Sequence, residues 1–328
     1  MRRKHYLVTG GTGFIGSAIV RRLVRDGHKI RVLDNNSRGA ARRLAEFKDD
    51  VELIVGDIRD PVTVANAVRG TDGVHHLAFI NGTEYFYSVP ELVLEVGVKG
   101  IINVIDSCLK YNVGSLFLAS SSEVYQSPPD VPTDETAPLI VPDPTNPRFS
   151  YGGGKIASEL LTINFGRKYF ERVIIYRPHN VYGPDMGEQH VIPQFALRLK
   201  QLCSVYSKGT IPFPIQGTGN ETRAFCFIDD FVDGVMILLE SGQHIGIYHI
   251  GTTEEIAVAE LARRVAACLE RELVIVPGER PAGSTLRRCP DIAKLTALGY
   301  SPKVPLRQGL PIVTRWYNSD LYQPRVGN

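Results

Sequence analysis

The sequence predicts an α/β fold: a doubly wound parallel sheet, followed by a smaller C-terminal substrate-binding domain. Three observations carry this. Short apolar runs alternate with longer amphipathic runs through residues 6–177, the rhythm of parallel strands joined by crossover helices. The first apolar run, Tyr6-Leu7-Val8, leads through a glycine-rich turn, Thr9-Gly10-Gly11-Thr12-Gly13-Phe14-Ile15-Gly16, into an amphipathic stretch over 17–25. Beyond residue 177 the rhythm loosens, and Pro184, Pro193, Pro212 and Pro214 mark a loop-rich second region.

In the glycine turn, Gly10 permits the tight bend, Gly13 lets backbone N–H groups approach a pyrophosphate, and Gly16 lets helix and strand pack closely. Phosphates would rest at the helix N-terminus, where free N–H groups and the macrodipole favour anions. This is a Rossmann-type dinucleotide fingerprint. The second strand, Lys29-Ile30-Arg31-Val32-Leu33, ends in Asp34. That carboxylate lies about 20 residues past the glycines, where a ribose hydroxyl is bound; the alternative is a solvated turn residue. A carboxylate there repels a 2′-phosphate and favours NAD over NADP, while the nearby Arg38, Arg42 and Arg43 could weaken that preference.

The remaining elements follow in order. A strand is expected over 51–55 and a helix over 61–69, with proline at its start. Then come a strand over 73–78, a long helix over 90–111, a strand over 115–120, a helix over 151–170 and a strand over 173–177. Residues 128–147, rich in proline and acid, read as a surface loop or lid. Helices are expected over 231–239 and 258–269, and the strand over 246–250 is expected to return to the sheet. The division that results is 1–177 plus about 224–250 for the dinucleotide domain, and about 178–223 plus 251–328 for the substrate domain.

Composition narrows the class. The chain has 328 residues, 43% hydrophobic and 22% charged, as in a soluble enzyme with a substantial core. A net charge of +2 provides no field for nucleic acid or membrane. The basic start Arg2-Arg3-Lys4 leads into strand and glycine turn, so no signal peptide is expected, and no run approaches a membrane span. Cys108, Cys203, Cys226, Cys268 and Cys289 are odd in number, scattered and never in CxxC pairs. They predict neither a disulfide framework nor a zinc site, and point to the cytoplasm. His75-His76 has no carboxylate or cysteine at ligand spacing, so no metal is expected.

Tyr151 and Lys155 stand four residues apart, on one face of a helix. A phenol is a poor base near neutrality, since its pKa is about 10. A neighbouring ammonium and a positive nicotinamide ring would lower it, so that the phenolate can take a proton from a substrate hydroxyl. Otherwise the two are an ordinary helical pair. Ser120-Ser121-Ser122-Glu123 follows an apolar strand; a hydroxyl there either bonds the reacting sugar hydroxyl or caps a polar loop.

At these residues the chain resembles the extended short-chain dehydrogenase/reductases of the NAD-dependent epimerase/dehydratase family. The resemblance rests on the glycine turn at 9–16, Asp57, Ser120-Ser-Ser-Glu-Val-Tyr125, Tyr151-Gly-Gly-Gly-Lys155 and Arg177-Pro-His-Asn-Val-Tyr-Gly-Pro184. Gly219-Asn-Glu-Thr-Arg-Ala-Phe225, Asp229-Asp230 and Arg288-Cys-Pro-Asp-Ile292 extend it over nearly the whole chain. The resemblance implies Ser121, Tyr151 and Lys155 as the catalytic set, joined by Glu123. It implies NAD contacts from Gly10, Gly13, Phe14, Ile15 and Gly16, and from Asp34, Asn35, Ser37 and Arg38. Asp57 and Ile58 would meet the adenine, while Leu77, Ala78 and Phe79 would meet the pyrophosphate and ribose. Ser120 would line the cofactor and Pro178 the nicotinamide. For a nucleotide-sugar substrate it implies Ser122, Glu123 and His179, with Asn180, Arg223 and Arg288 at the diphosphate and Val191 at the base. Paired guanidiniums suit a diphosphate because each can bond two oxygens; otherwise both arginines are surface charge. The helices over 90–111 and 151–170 resemble those that form a homodimer interface in the family.

Three positions depart from the family pattern: Gly97 where many members carry asparagine, Gln126 where a glycine is usual, and His179 where phenylalanine is frequent. His179 either faces the sugar or simply packs. The implied reaction begins with oxidation at C4 of the sugar, with NAD recycled. Ser122-Glu123 lacks the Asp-Glu pair of dehydratases, which disfavours dehydration. The expected activity is an NDP-sugar 4-epimerase acting on a UDP-hexose or UDP-hexuronate. UDP-glucuronate decarboxylation is the alternative, ahead of a 4,6-dehydratase or an inactive NAD-binding scaffold.

Overall fold

The computed structural model describes residues 3–280, 283–320 and 322. The first half alternates as read: β1 (His5–Thr9), α1 (Phe14–Arg25), β2 (Lys29–Asp34), β3 (Val51–Val55), α2 (Pro61–Val68) and β4 (Gly73–His76). Then follow α3 (Thr83–Ser88), α4 (Pro90–Lys110), β5 (Ser115–Ala119), α5 (Ser150–Tyr169) and β6 (Arg172–Pro178). The second half holds β7 (Val181–Tyr182), α6 (Val191–Val205), β8 (Ile211–Ile215), β9 (Thr222–Ala224), β10 (Cys226–Phe227), α7 (Ile228–Ser241) and β11 (Gly246–Ile250). It ends with β12 (Glu255–Ala257), α8 (Val258–Ala267), β13 (Leu273–Pro277), β14 (Arg287–Arg288), α9 (Ala293–Thr296) and α10 (Leu306–Asn318).

Seven parallel strands form the main sheet in the order β11-β6-β5-β4-β1-β2-β3. The strand at 246–250 does return to the sheet, beside β6. Strand side chains alternate between two apolar layers, as the pleat requires. Val8, Ile30, Val32, Phe117 and Ile174 face α1, α7 and the C-terminal elements, whereas Leu7, Leu33, Val74, Leu116 and Val173 face α2 and α4. Burial on both faces explains why these strands read as continuous apolar runs. The first layer continues through Phe195, Phe213, Leu261 and Leu310, so the C-terminal elements complete the same core.

The order reverses between β1 and β4, the position at which doubly wound sheets bind ligands beyond their strand ends. No described helix is long and apolar enough to cross a membrane. The prolines of the second half mislead a sequence reading. Pro193 lies in the first turn of α6, where its missing N–H costs nothing, and Pro212 and Pro214 lie on β8, paired only with β13. Residues 128–147 are irregular but not a free lid: Thr133 exchanges backbone hydrogen bonds with Cys289 and Asp291, and the His249 N–H donates to Glu135 Oε1 at 2.8 Å.

Candidate active site

A cavity of about 530 Å³ opens beyond the carboxyl ends of β1, β2, β4, β5 and β6. Its floor is the glycine turn. Gly10 has φ +72°, and a Cβ there would lie 2.8 Å from the Ala78 nitrogen; a Cβ on Gly16 would collide with the Gly10 carbonyl oxygen. Only hydrogen fits at either position. Gly13 precedes α1 without a side-chain cap, so the first-turn amides keep their donors for a ligand. That cradle suits the pyrophosphate of a dinucleotide.

Asp34 is no solvated turn residue. Its carboxylate accepts the Thr12 N–H at 3.0 Å and the Asn36 N–H at 2.8 Å, which ties β2 to the glycine turn and leaves lone pairs for a ribose. Asn35, Ser37 and Arg38 also line the cavity, with Arg38 stacked 4.7 Å over the Tyr85 ring. Arg42 and Arg43 do not join them: both pair with Asp185, at 2.8 and 2.9 Å. The expectation that these two weaken the preference for NAD is therefore corrected, while Arg38 stays on the wall. Asp57 and Ile58 line the far end, and Arg59, paired with Asp57 and Glu95 at 2.8 Å each, holds the Asp57 carboxyl below its usual range.

Leu77, Ala78 and Phe79 continue the wall after β4, and Pro178 closes it after β6. Phe79 accounts for Gly97. A Cβ on Gly97 would collide with the Phe79 ring, and one on Gly154 would lie 3.0 Å from it. The aromatic ring fills the place that a side chain at 97 would take. Gln126 is also explained. It holds φ +54°, and its side-chain amide donates to the Glu123 carbonyl at 2.6 Å, anchoring a bend that glycine would otherwise serve.

The catalytic candidates meet on one wall. Ser121 Oγ accepts the Glu123 N–H at 3.1 Å, which leaves its own O–H to donate toward the Tyr151 hydroxyl. Lys155 Nζ donates to the Ala119 carbonyl at 2.7 Å and lies 4.1 Å over Phe79 and 5.7 Å from the Tyr151 ring centre. Burial, with the charge of Glu123, pushes the Tyr151 hydroxyl up while Ser121 and Arg38 pull it back, and burial draws Lys155 down to about 7 against the opposing charge of Glu159. Ser120 lies on the wall, but its hydroxyl turns away to bond Glu159.

The substrate candidates separate. Ser122, Glu123, Asn180 and Arg288 line the cavity. Glu123 pairs with Arg288 at 2.5 Å; burial pushes its carboxyl up, but Arg288, with Arg148 and Arg223, outweighs this and holds it low. Asn180 donates its amide to the Ala224 carbonyl at 3.0 Å. His179, Val191 and Arg223 do not reach the wall. His179 is 1% exposed and packs edge-on against His249, ring centres 4.6 Å apart. Val191 starts α6 and packs on the core. Arg223 donates to the carbonyls of Thr222, Thr285 and Leu286, and burial draws its guanidinium down to about 10. Sequence reasoning missed Arg59, Met186, Gln189 and His190 on the wall. The one signal for the last three was Gly187, the sole glycine in the loop before α6 and after Gly183.

A family model described as the NAD dependent epimerase/dehydratase family matches residues 6–251. UDP-glucuronic acid decarboxylase 4 of Arabidopsis thaliana is 32% identical over 325 residues, 96% of this chain and 69% of its own length. UDP-glucuronic acid decarboxylase 6 of the same plant is 32% identical over 97% of this chain and 90% of its own. Among solved structures, UDP-glucose 4-epimerase of Thermus thermophilus in complex with NAD superposes with a TM-score of 0.83 at 28% identity, covering 96% of this chain and 99% of that one. The dTDP-glucose 4,6-dehydratase of Streptomyces venezuelae, also with NAD bound, gives a TM-score of 0.83 at 29% identity over 96% of this chain and 97% of that one.

Proposed function

Since this chain belongs to the NAD-dependent epimerase/dehydratase family and NAD is its cofactor, we propose that it is a nucleotide-sugar 4-epimerase working through transient oxidation at C4. The observation that carries this reading is the placement of Ser121, Tyr151 and Lys155 on one wall of the dinucleotide cavity. When bound, NAD supplies the hydride acceptor and later the hydride donor. Tyr151 takes the proton of the C4 hydroxyl and returns it. Ser121, already accepting one N–H, donates its single O–H to the Tyr151 oxygen and so stabilises the phenolate. Lys155, anchored on the Ala119 carbonyl, adds positive charge near the ring. Asp34 and the glycine turn hold NAD, and elements from 178–223 and 251–328 hold the nucleotide-sugar, a UDP-sugar in this reading.

The outcome after C4 oxidation turns on Glu123 and Arg288. The guanidinium is already neutralised at 2.5 Å, so this wall suits the uncharged ring of a hexose better than a second carboxylate. One observation favours a second reading, UDP-glucuronate decarboxylation: the curated relatives at 31–32% identity carry that name. There the substrate carboxylate would displace Glu123 from Arg288. Incubation with UDP-, dTDP-, GDP- and CDP-linked hexoses and hexuronates, followed by mass spectrometry and NMR, separates the two. A C4 epimer of unchanged mass supports epimerisation, and loss of CO2 replaces it with decarboxylation.

The protein is further proposed to be a homodimer. Leu94 and Ile102 on α4 and Leu160 and Tyr169 on α5 are 40%, 39%, 56% and 51% exposed on two helices that pack side by side. Sedimentation at a monomer mass would refute it. Five cysteines, none in a disulfide, suit the reducing cytoplasm.

A further inference from the structure

Glu159 is buried at 1% exposure on α5, one turn beyond Lys155, and the chemistry above does not use it. Arg177 grips both of its oxygens, Nε at 2.9 Å and Nη2 at 2.6 Å, and also donates to Tyr125 Oη and to the Glu135 carbonyl. A buried ion pair is a poor source of net stability, because desolvating both charges offsets their attraction. Its geometry has another use. Lys155 donates to the Ala119 carbonyl, and Glu159 accepts the Ser120 hydroxyl. Two side chains one helical turn apart thus hold two consecutive residues at the end of β5, and the next residue is Ser121.

Resting on the reading of Ser121, Tyr151 and Lys155 as catalytic, we propose that Glu159 is a positioning residue: it latches β5 to α5 so that Ser121 meets Tyr151, and it sets a carboxylate one helical turn from Lys155. Lys155 faces few other groups. The Phe79 ring lies beneath Nζ, Tyr151 lies on the same helix, and His76 of β4 is buried, neutral and bonded to Thr9. Burial draws the ammonium down to about 7, and Glu159 is the charge that opposes the fall. Arg177 pairs with Glu159 at 2.6 Å without facing the lysine itself.

The test is NMR titration of the full chain labelled at lysine Cε, with and without added NAD, using K155R to assign the resonance. In E159Q the Lys155 midpoint should fall by about one pH unit or more, a tenfold loss of ammonium, and E159D should restore most of it. With a substrate that the wild type turns over, the basic limb of kcat should move by the same amount while KM stays within about twofold. If E159Q does not fold, E159Q/R177M removes both buried charges and carries the same titration. An unchanged Lys155 midpoint in either folded variant overturns the proposal. If the wild type turns over no nucleotide-sugar, the functional reading fails, while the titration still decides the role of Glu159.

Discussion

At the scale of single residues, Tyr151 is the group on which the proposed chemistry depends. Tyr151→Phe keeps the ring stacked on Phe86 and edge-on to Phe79, at 5.0 and 5.1 Å, and removes only the hydroxyl. Turnover should fall by about 10²–10⁴-fold, the usual weight of a general acid–base, with NAD affinity nearly unchanged by fluorescence titration. Normal turnover would rule Tyr151 out as the base. Gly97 makes a second prediction. Gly97→Asn must evict the Phe79 ring from its socket, so stability should drop by about 1–3 kcal/mol in urea unfolding, as for other overpacked cores. Tyr151 and Lys155 were readable because one helical turn separates them in sequence. Glu123 and Arg288 lie 165 residues apart, and Ser120 and Glu159 lie 39 apart, so only the fold brings each pair together. His179 was not resolvable from its neighbours in the chain, because the ring that covers it, His249, belongs to β11.

At the scale of elements, legibility followed the strength of local pattern. The strands β1 to β6 are buried on both faces and flanked by amphipathic helices, so apolar runs and their spacing mark them directly. The second half defeated that reading where proline stands inside an element. Pro193 occupies the first turn of α6, where no intrahelical bond is lost. Pro311 lies inside α10, held there by the apolar face of Leu306, Leu310, Val313 and Tyr317. The two positions should respond in opposite directions. Pro311→Ala removes a helix-interior proline and should stabilise by about 2 kcal/mol, since the roughly 3 kcal/mol helix penalty exceeds the entropy returned to the unfolded chain. Pro193→Ala should destabilise by about 0.4–1 kcal/mol, because only the unfolded-state effect remains. Thermal melts of both variants check this, and a destabilised Pro311→Ala would mean that the packing of the proline ring outweighs its helix penalty.

At the scale of the whole molecule, the buried histidines set the response to acid. Burial lowers His75 and His76 to about 3, His249 to about 4, and His179 well below its ordinary value of 6.5. Below pH 6.5 the unfolded chain takes up protons at these rings that the folded chain refuses. Stability therefore falls as pH drops, by about 1.4 kcal/mol per pH unit for each ring within its window. His75, His76 and His249 together give roughly 4 kcal/mol per unit between about pH 6 and 4, and His179 adds in the same direction, enough to exhaust a typical stability of about 5–15 kcal/mol in two or three units. Carboxylates paired with arginine, such as Asp57 and Asp185, add to the loss in the same direction at still lower pH. Urea unfolding at pH 7, 6 and 5 measures the slope. His75 offers the cleanest control. It stacks on Phe117 at 4.5 Å, and neither ring nitrogen has a partner among the described residues. His75→Phe should leave stability at pH 7 nearly unchanged and flatten the acid slope by about 1.4 kcal/mol per unit. An unaltered slope would place the acid sensitivity in the carboxylates and not in the sheet's buried rings.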